Sequence, residues 1–384
     1  MMVKIETTLH QAFSNLYDPR QAKKVEHPLI NIIFIAVSGI LCGANNWTHI
    51  SEFGKAQHEW FEEFLEMPNG IPSHDTFGTV FGLLWCDDFS DCFCQWMKLL
   101  SPVLGKHVAI DGKFARGSKD GTLGRGAIDM VSAFATESGL TLAQHKVNEK
   151  SNEITAIPQL LSLLNLKNCV VTIDAMGCQK EIVNQIDMAG ADATISLKGN
   201  QGRLHADTVE MFAYFDKIGF EDVPHSYHRE VSSGHGRIDI REIWTFSPHA
   251  YAQYFRTLDQ WTPIQTVSMV RSERRLKGKV EQETRYFIST LTAQAKEQLR
   301  YIRRHWGIEN ELHWVLDVAF QQDAQRTRKA NSAANLVTLH HMVLNLLRLD
   351  KSKGGIETKR LKCGWDTHYR MCVLAPILSP GNVN

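Results

Sequence analysis

Two aspartates follow short apolar runs that have the composition of buried strands. Asp111 ends the run HVAID, which begins at residue 107, and Asp174 ends the run VVTID, which begins at residue 170. If these runs are neighbouring parallel strands, the two carboxylates lie side by side at the carboxyl edge of a sheet, where open α/β sheets bind ligands. Carboxylates this close repel each other unless a cation lies between them or one takes a proton. Oxygen ligands suit Mg²⁺ or Mn²⁺, and two such ions about 3.5–4 Å apart support phosphoryl transfer.

Each aspartate also has a simpler explanation. Asp174 can cap the helix that follows it, and Asp111 can open an Asp-Gly turn. For either residue alone we favour this explanation, whereas the pair on adjacent strands favours a metal site.

A third carboxylate is expected from the helical segment 301–328. Glu309 is the leading candidate, with Asp317 and Asp323 as alternatives. On a continuous helix, residues four apart share one face. Two histidines on that face are eight residues apart, about 12 Å along a regular helix, which is too far for one metal ion. We interpret these histidines, His305 and His313, as structural residues or phosphate contacts.

Basic side chains surround the predicted acidic edge. They follow the first strand, the fifth strand and the start of the helical segment. Such a surface could hold a phosphate backbone, although a run of charges is usually only a solvated face, and both explanations stay open. The predicted DNA contacts are Lys113, Arg116, Lys198, Arg203, Arg303, Arg304, His305 and His313.

Three predicted parts of the chain position these residues. Residues 1–100 are predicted to be helical, because apolar residues recur at helical spacing and no strand pattern occurs. Residues 101–350 predict the order β-β-β-α-β-α-β, then a β-rich insertion at about 200–290 and further helices. Three antiparallel strands followed by βαβ crossovers predict an α/β fold with a ribonuclease-H-like mixed sheet, preceded by an all-α region. Residues 351–384 are predicted to be a basic C-terminal tail.

Composition limits the class of protein. The 384 residues carry 42 basic and 42 acidic side chains, and this balance argues against a protein that coats nucleic acid without selectivity. The cysteines form no CxxC pair, which is typical of a reduced, cytoplasmic compartment. The most apolar stretch, residues 28–43, is shorter than the roughly 20 residues of a membrane span, so we predict a core helix. The N-terminus has no signal-peptide pattern.

Several sequence runs resemble one family over nearly the whole chain. They are HVAIDGK, SNEITAIPQLL, VVTIDAMGCQK, LKGNQGRL and RRHWGIENELHWVLDVAF. With these motifs the chain resembles bacterial insertion-sequence transposases of the H-repeat-associated type. The resemblance implies an Asp-Asp-Glu triad at Asp111, Asp174 and Glu309, which holds a pair of Mg²⁺ or Mn²⁺ ions.

The resemblance also implies a reaction and its partners. Double-stranded DNA is cut at the terminal repeats of a transposon and joined to target DNA. The protein is expected to be cytoplasmic, to associate with the nucleoid when bound, to assemble as a homo-oligomer on DNA and to have no membrane partner. Two other functions stay compatible with the sequence: a metal-dependent nuclease that cuts without joining, and an inactive, domesticated DNA-binding protein.

Overall fold

The N-terminal region is helical, as predicted, and several of its helices begin at polar capping residues. Asn46 Oδ1 accepts a hydrogen bond from the backbone N–H of His49, and Ser73 Oγ accepts one from Thr76. The helices of this region are α1 (Thr8–Phe13), α2 (Leu29–Leu41), α3 (Trp47–Ala56), α4 (His58–Glu62), α5 (His74–Leu83) and α6 (Cys86–Leu100). The protein is seen here as a computed structural model, which describes residues 7–100, 105–119, 126–148, 151–234, 236–292 and 294–378.

Helix α2 is the predicted core helix. Its residues from Asn31 to Leu41 are all buried, against the other N-terminal helices and against helices from the end of the chain. Within the described ranges, no helix has both the length and the apolar character needed to cross a membrane.

A mixed sheet forms the centre of the remaining chain, as predicted. Its strands lie in the order β3-β2-β1-β4-β5-β9-β8-β7-β6. Strand β1 is antiparallel to β2 and parallel to β4, which is in turn parallel to β5. The first elements follow the predicted order and are β1 (His107–Ala115), β2 (Ile128–Ala135), β3 (Leu140–Lys146), α7 (Glu153–Ser162), β4 (Val170–Ile173), α8 (Lys180–Met188) and β5 (Asp192–Leu197).

The predicted β-rich insertion extends this same sheet. It contains two hairpins, and the last strand of the second hairpin pairs antiparallel with β5. The second hairpin reverses at Lys277 and Gly278, which both have positive φ, as a two-residue turn of type I′ requires. The elements of this part are α9 (Gly202–Lys217), β6 (Ser226–Gly234), β7 (Arg237–Phe246), β8 (Thr266–Leu276) and β9 (Lys279–Ser289).

The segment 301–328 is not the continuous helix that the sequence suggests. Helix α10 (Ala295–His305) is followed by a π-helical turn (Ile308–His313) and by helix α11 (Trp314–Phe320). Helix α11 ends where Gln321 takes a left-handed conformation. One side of the π turn and α11 is fully buried in the helical core and holds the segment there, whereas Trp314 and Val318 are exposed. The fully buried side chains are Ile308, Leu312, Leu316 and Phe320.

Three further helices complete the described chain, namely α12 (Ser332–Leu349), α13 (Ile356–Trp365) and α14 (Thr367–Leu378). Helix α12 is buried along nearly its whole length between the N-terminal helices and β3. The predicted C-terminal tail therefore contains two packed helices. Thr8 Oγ1 donates a hydrogen bond of 2.6 Å to Pro376 O, which ties α1 to α14.

Candidate metal centre at the edge of the sheet

Strands β1 and β4 bring Asp111 and Asp174 to the same level of the sheet. The last paired residues of these two parallel strands are Ile110 and Ile173. Because an aspartate follows each of them, both carboxylates lie where the parallel strands separate. Strand β1 itself stays paired with β2 as far as Ala115, so Asp111 lies within a strand and does not open an Asp-Gly turn.

Asp174 does cap the short helical turn that follows it. Its Oδ1 atom accepts a hydrogen bond of 2.9 Å from the backbone N–H of Met176. A carboxylate has two oxygens and several lone pairs, so a cap that uses one oxygen leaves the other able to bind a cation. The capping role and the metal-binding role are therefore compatible.

The π-helical turn brings two further side chains to Asp111. The Nδ1 atom of His313 lies 3.7 Å from Asp111 Oδ2 and 3.5 Å from Glu309 Oε2. One possible ligand atom from each of these three residues lies within 4.8 Å of the other two. His313 is buried, whereas Glu309 is exposed, so a cation or a substrate can reach the group from the Glu309 side.

The two alternative third carboxylates are occupied by basic side chains. Lys113 Nζ donates a hydrogen bond of 2.7 Å to Asp317 Oδ2 and lies 3.9 Å from Asp323 Oδ1. Arg116 Nε lies 3.6 Å from Asp323 Oδ2. These ion pairs neutralise Asp317 and Asp323, which supports Glu309 as the third acid. They also occupy Lys113, a predicted DNA contact, whereas the side chain of Arg116, another predicted contact, is 82% exposed and stays accessible.

The pKa values of the neighbouring carboxylates at this site are shifted by their surroundings. Burial raises the pKa of Asp111, and the negative charges of Glu309 and Asp174 raise it further. The contact with His313 holds the pKa of Glu309 below its ordinary value. Without a cation, one carboxylate therefore keeps a proton near neutral pH while its neighbour is ionised. A divalent cation could take the place of that proton.

His305 ties helix α10 to strand β4. Its Nδ1 atom lies 3.1 Å from Thr172 Oγ1, which also lies 2.9 Å from His107 Nε2. Burial lowers the pKa of His305 to about 4, so the ring is neutral near pH 7. A neutral, bonded ring favours the structural explanation of this residue over a phosphate contact.

The predicted DNA contacts on α10 have acidic partners in the protein. Arg303 forms an ion pair with Glu230 of β6, and Arg304 Nη1 lies 3.0 Å from Glu137 Oε1. Both arginine side chains are partly exposed, so DNA phosphates would compete with these carboxylates for them.

Lys198 and Arg203 lie in a more open setting. They are exposed and flank the loop that follows β5, at the same edge of the sheet as Asp174. Asn200 Nδ2 donates a hydrogen bond of 2.6 Å to Ala175 O, so this loop is fastened beside Asp174. Among the predicted basic residues, these two are the best placed to contact a phosphate backbone next to the carboxylates.

One acidic residue of this edge was not among the predicted site residues. Glu153 is the first residue of α7, and burial and then the charges of Asp129 and Asp174 raise its pKa to about 7. The order of strands could have revealed it. Because β2 is antiparallel to both β1 and β3, strand β3 ends at the same edge as β1, and α7 begins there.

Comparison with known proteins adds an independent finding. Residues 10–97 match a family model described as DDE_Tnp_1-associated, and residues 104–346 match one described as Transposase DDE domain. "Putative transposase YncI" of Escherichia coli O157:H7 is 40% identical over 363 residues, which cover 93% of this chain and 92% of that protein. "H repeat-associated putative transposase YhhI" of Escherichia coli K12 is 36% identical over 374 residues, 96% of this chain and 97% of that protein. "Inactive transposase YbfQ" of the same strain is 36% identical over 63 residues, 16% of this chain and 75% of that protein.

Proposed function

Since the chain belongs to the DDE transposases, of the H-repeat-associated type, we propose that it cuts DNA at transposon ends and joins them to target DNA with Asp111, Asp174 and Glu309 as its catalytic triad. The observation that carries this proposal is the meeting of three chain segments at one edge of the sheet. Asp111 and Asp174 follow the last paired residues of β1 and β4, and Glu309 approaches Asp111 from the π turn.

The proposed fold of the catalytic part is ribonuclease-H-like. Its support is the strand order β3-β2-β1-β4-β5, in which only β2 runs antiparallel to its neighbours, together with the helix that follows β3 and the helix that follows β4. In such a fold the carboxyl ends of β1 and β4 lie at the catalytic edge. The β-rich hairpins extend the sheet beyond β5, with β9 antiparallel to it.

The side chains present fit a hard divalent cation. Carboxylate oxygens are the ligands that Mg²⁺ and Mn²⁺ prefer, and the three proposed ligands all supply them. Asp111, Asp174 and Glu309 would hold the ions, of which we propose a pair. When bound, such ions neutralise charge at the attacking and leaving oxygens of an in-line displacement. Burial first, and then the charges of Glu309 and Asp174, raise the pKa of Asp111, and a bound cation would offset both effects.

The proposed reaction has two steps. Water attacks a phosphorus atom at the transposon end, and the P–O3′ bond breaks to leave a free 3′-hydroxyl. That hydroxyl then attacks a phosphorus atom of the target, where the P–O3′ bond breaks in turn. No bond forms between protein and DNA. Lys198 and Arg203 would hold the backbone beside Asp174, and pairing of two ends would require a homo-oligomer on DNA.

The test is strand cleavage by the purified full-length protein. The substrate is a labelled duplex that carries the inverted repeats flanking the gene, with Mg²⁺ or Mn²⁺ and a target plasmid. We expect nicked ends and joined products, and we expect Asp174→Asn to lower both by roughly 10³-fold or more. Cleavage that survives this substitution would overturn the triad. Nicks without joined products would indicate a nuclease. DNA binding without nicks would indicate an inactive protein.

A further inference from the structure

Glu153 lies directly over the backbone of Gly112, the residue that follows Asp111. A β-carbon placed on Gly112 would come within 2.2 Å of Glu153 Oε1 and 2.5 Å of its Cδ. Such distances are far inside van der Waals contact, so the carboxylate occupies the space that any other residue at position 112 would fill.

The backbone of Gly112 gives no other reason for a glycine. Gly112 pairs with Val131 inside the ladder of β1 and β2, and its φ lies outside the left-handed region that favours glycine. A glycine within a strand often marks a place where another group approaches the backbone closely. Here that group is the carboxylate of Glu153.

The surroundings of Glu153 lack positive charge. Within the described ranges, Glu153 has no ion pair and no side-chain hydrogen bond, and the charges that act on it come from Asp129 and Asp174. Asp129 is 9% exposed, and its buried Oδ1 atom has no hydrogen-bond partner in the described chain. A buried carboxylate without a partner costs free energy of folding, and a bound cation commonly compensates for that cost.

Glu153 reaches the edge from the face of the sheet opposite to Glu309. Successive side chains of a strand point to opposite faces, so Asp111 and Gly112 face different ways. The Asp111 side chain meets Glu309 and His313, whereas the bare face of Gly112 meets Glu153. Acidic groups from both faces therefore converge where β1 and β4 separate.

We propose that Glu153 is a fourth carboxylate ligand of the divalent-cation centre, beside Asp174. Gly112 has no side chain and so leaves the space through which Glu153 reaches the ion. This inference rests on the proposed metal-dependent function and adds a residue to its ligand set. The simpler explanation is that Glu153 only offsets the dipole of α7, as an acidic residue in a first turn does. Glu181, in the first turn of α8, provides a matched comparison for that explanation.

The experiment titrates the full-length protein with Mn²⁺ alone and follows free Mn²⁺ by electron paramagnetic resonance. We expect Glu153→Gln to weaken Mn²⁺ binding by roughly tenfold or more, or to remove one bound ion. Gly112→Ala should do the same, although it deletes no ligand, because its β-carbon displaces the Glu153 carboxylate. Glu181→Gln should bind Mn²⁺ like the unaltered protein.

A double-variant comparison separates displacement of Glu153 from damage to the strand. In a Glu153→Ala background the space above Gly112 is empty, so Gly112→Ala should cause no further loss of Mn²⁺ binding. Thermal unfolding of each variant shows whether that variant folds. If Gly112→Ala does not fold, Glu153→Gln alone tests the proposal. Unchanged Mn²⁺ binding in a folded Glu153→Gln variant would overturn the inference and leave the triad intact. No Mn²⁺ binding by the unaltered protein would instead overturn the proposed metal centre itself.

Discussion

The Nδ1 atom of His313 lies 3.7 Å from Oδ2 of Asp111, a residue that comes from a distant part of the chain. The π-helical turn presents His313 and Glu309 together, so the imidazole lies against both carboxylates. These separations are longer than hydrogen bonds. They are close to the roughly 3.0–3.4 Å between neighbouring ligands that share one ion at about 2.1 Å.

His313 should therefore matter for the metal centre. We expect His313→Ala to weaken Mn²⁺ binding by roughly 10–100-fold, because Glu309 loses the group that orients it. His313→Gln should retain part of this affinity, since an amide can still contact a carboxylate. Isothermal titration with Mn²⁺ measures both variants. Binding unchanged in His313→Ala would show that the imidazole only fills space.

Substitutions at two acids should distinguish the third carboxylate from its alternatives. Glu309→Gln should lower strand cleavage by roughly 10³-fold, because it removes a ligand of the cation. Asp317→Asn should lower it by less than about tenfold, since Asp317 is paired with Lys113 and its loss leaves the site's ligands in place. The measurement is the single-turnover cleavage rate. A larger loss of cleavage rate in Asp317→Asn than in Glu309→Gln would assign the role of third carboxylate to Asp317.

The stability of the metal-free protein should depend on pH through Asp111. Its pKa is raised in the folded state, so the folded protein binds more protons than the unfolded chain between the ordinary and the raised value. Stability contributed by this group is therefore lost as pH rises through that window. In EDTA, Asp111→Asn should raise the thermal midpoint by about 2 °C or more near pH 8.

The same comparison near pH 4 provides its control. There Asp111 is largely protonated in the folded protein, so an uncharged amide in its place should change the thermal midpoint little. A midpoint shift that is equal at both pH values would mean that the charge of Asp111 is not the source of the effect.

The exposed basic pair beside Asp174 should contribute to DNA affinity through phosphate contacts. Lys198→Ala and Arg203→Ala should each weaken binding of any duplex and lower the slope of log K against log salt by about 1. Lys362→Ala is the control, because Lys362 is exposed on α13, which packs against helices α12 and α14. Binding is measured by fluorescence anisotropy over a range of salt concentrations. Slopes equal to that of the control variant would exclude these contacts.

Much of the site could be predicted because strand neighbours follow from the order of elements. The parallel pairing of β1 with β4 was predicted, and with it the juxtaposition of Asp111 and Asp174. The helical N-terminal region was predicted from the spacing of its apolar residues, which burial in a helical core requires.

Other features depend on contacts that spacing does not encode. The π turn at Ile308–His313 alters the regular helical face and brings His313 to Asp111. The ion pair of Lys113 with Asp317 joins residues from distant parts of the chain, so the sequence around either residue does not indicate its partner. Glu153 is not among the predicted site residues, because its closeness to Gly112 is a property of packing.

The most direct test locates the cation on the protein. Fe²⁺ can replace Mg²⁺ at oxygen-rich sites, and with ascorbate and peroxide it cleaves the backbone close to where it is bound. We expect cuts near Asp111, Asp174 and Glu309, which Mg²⁺ suppresses and Asp174→Asn abolishes. Cuts confined to other parts of the chain, or cuts at this edge that neither Mg²⁺ nor Asp174→Asn affects, would contradict a metal centre formed by these three residues.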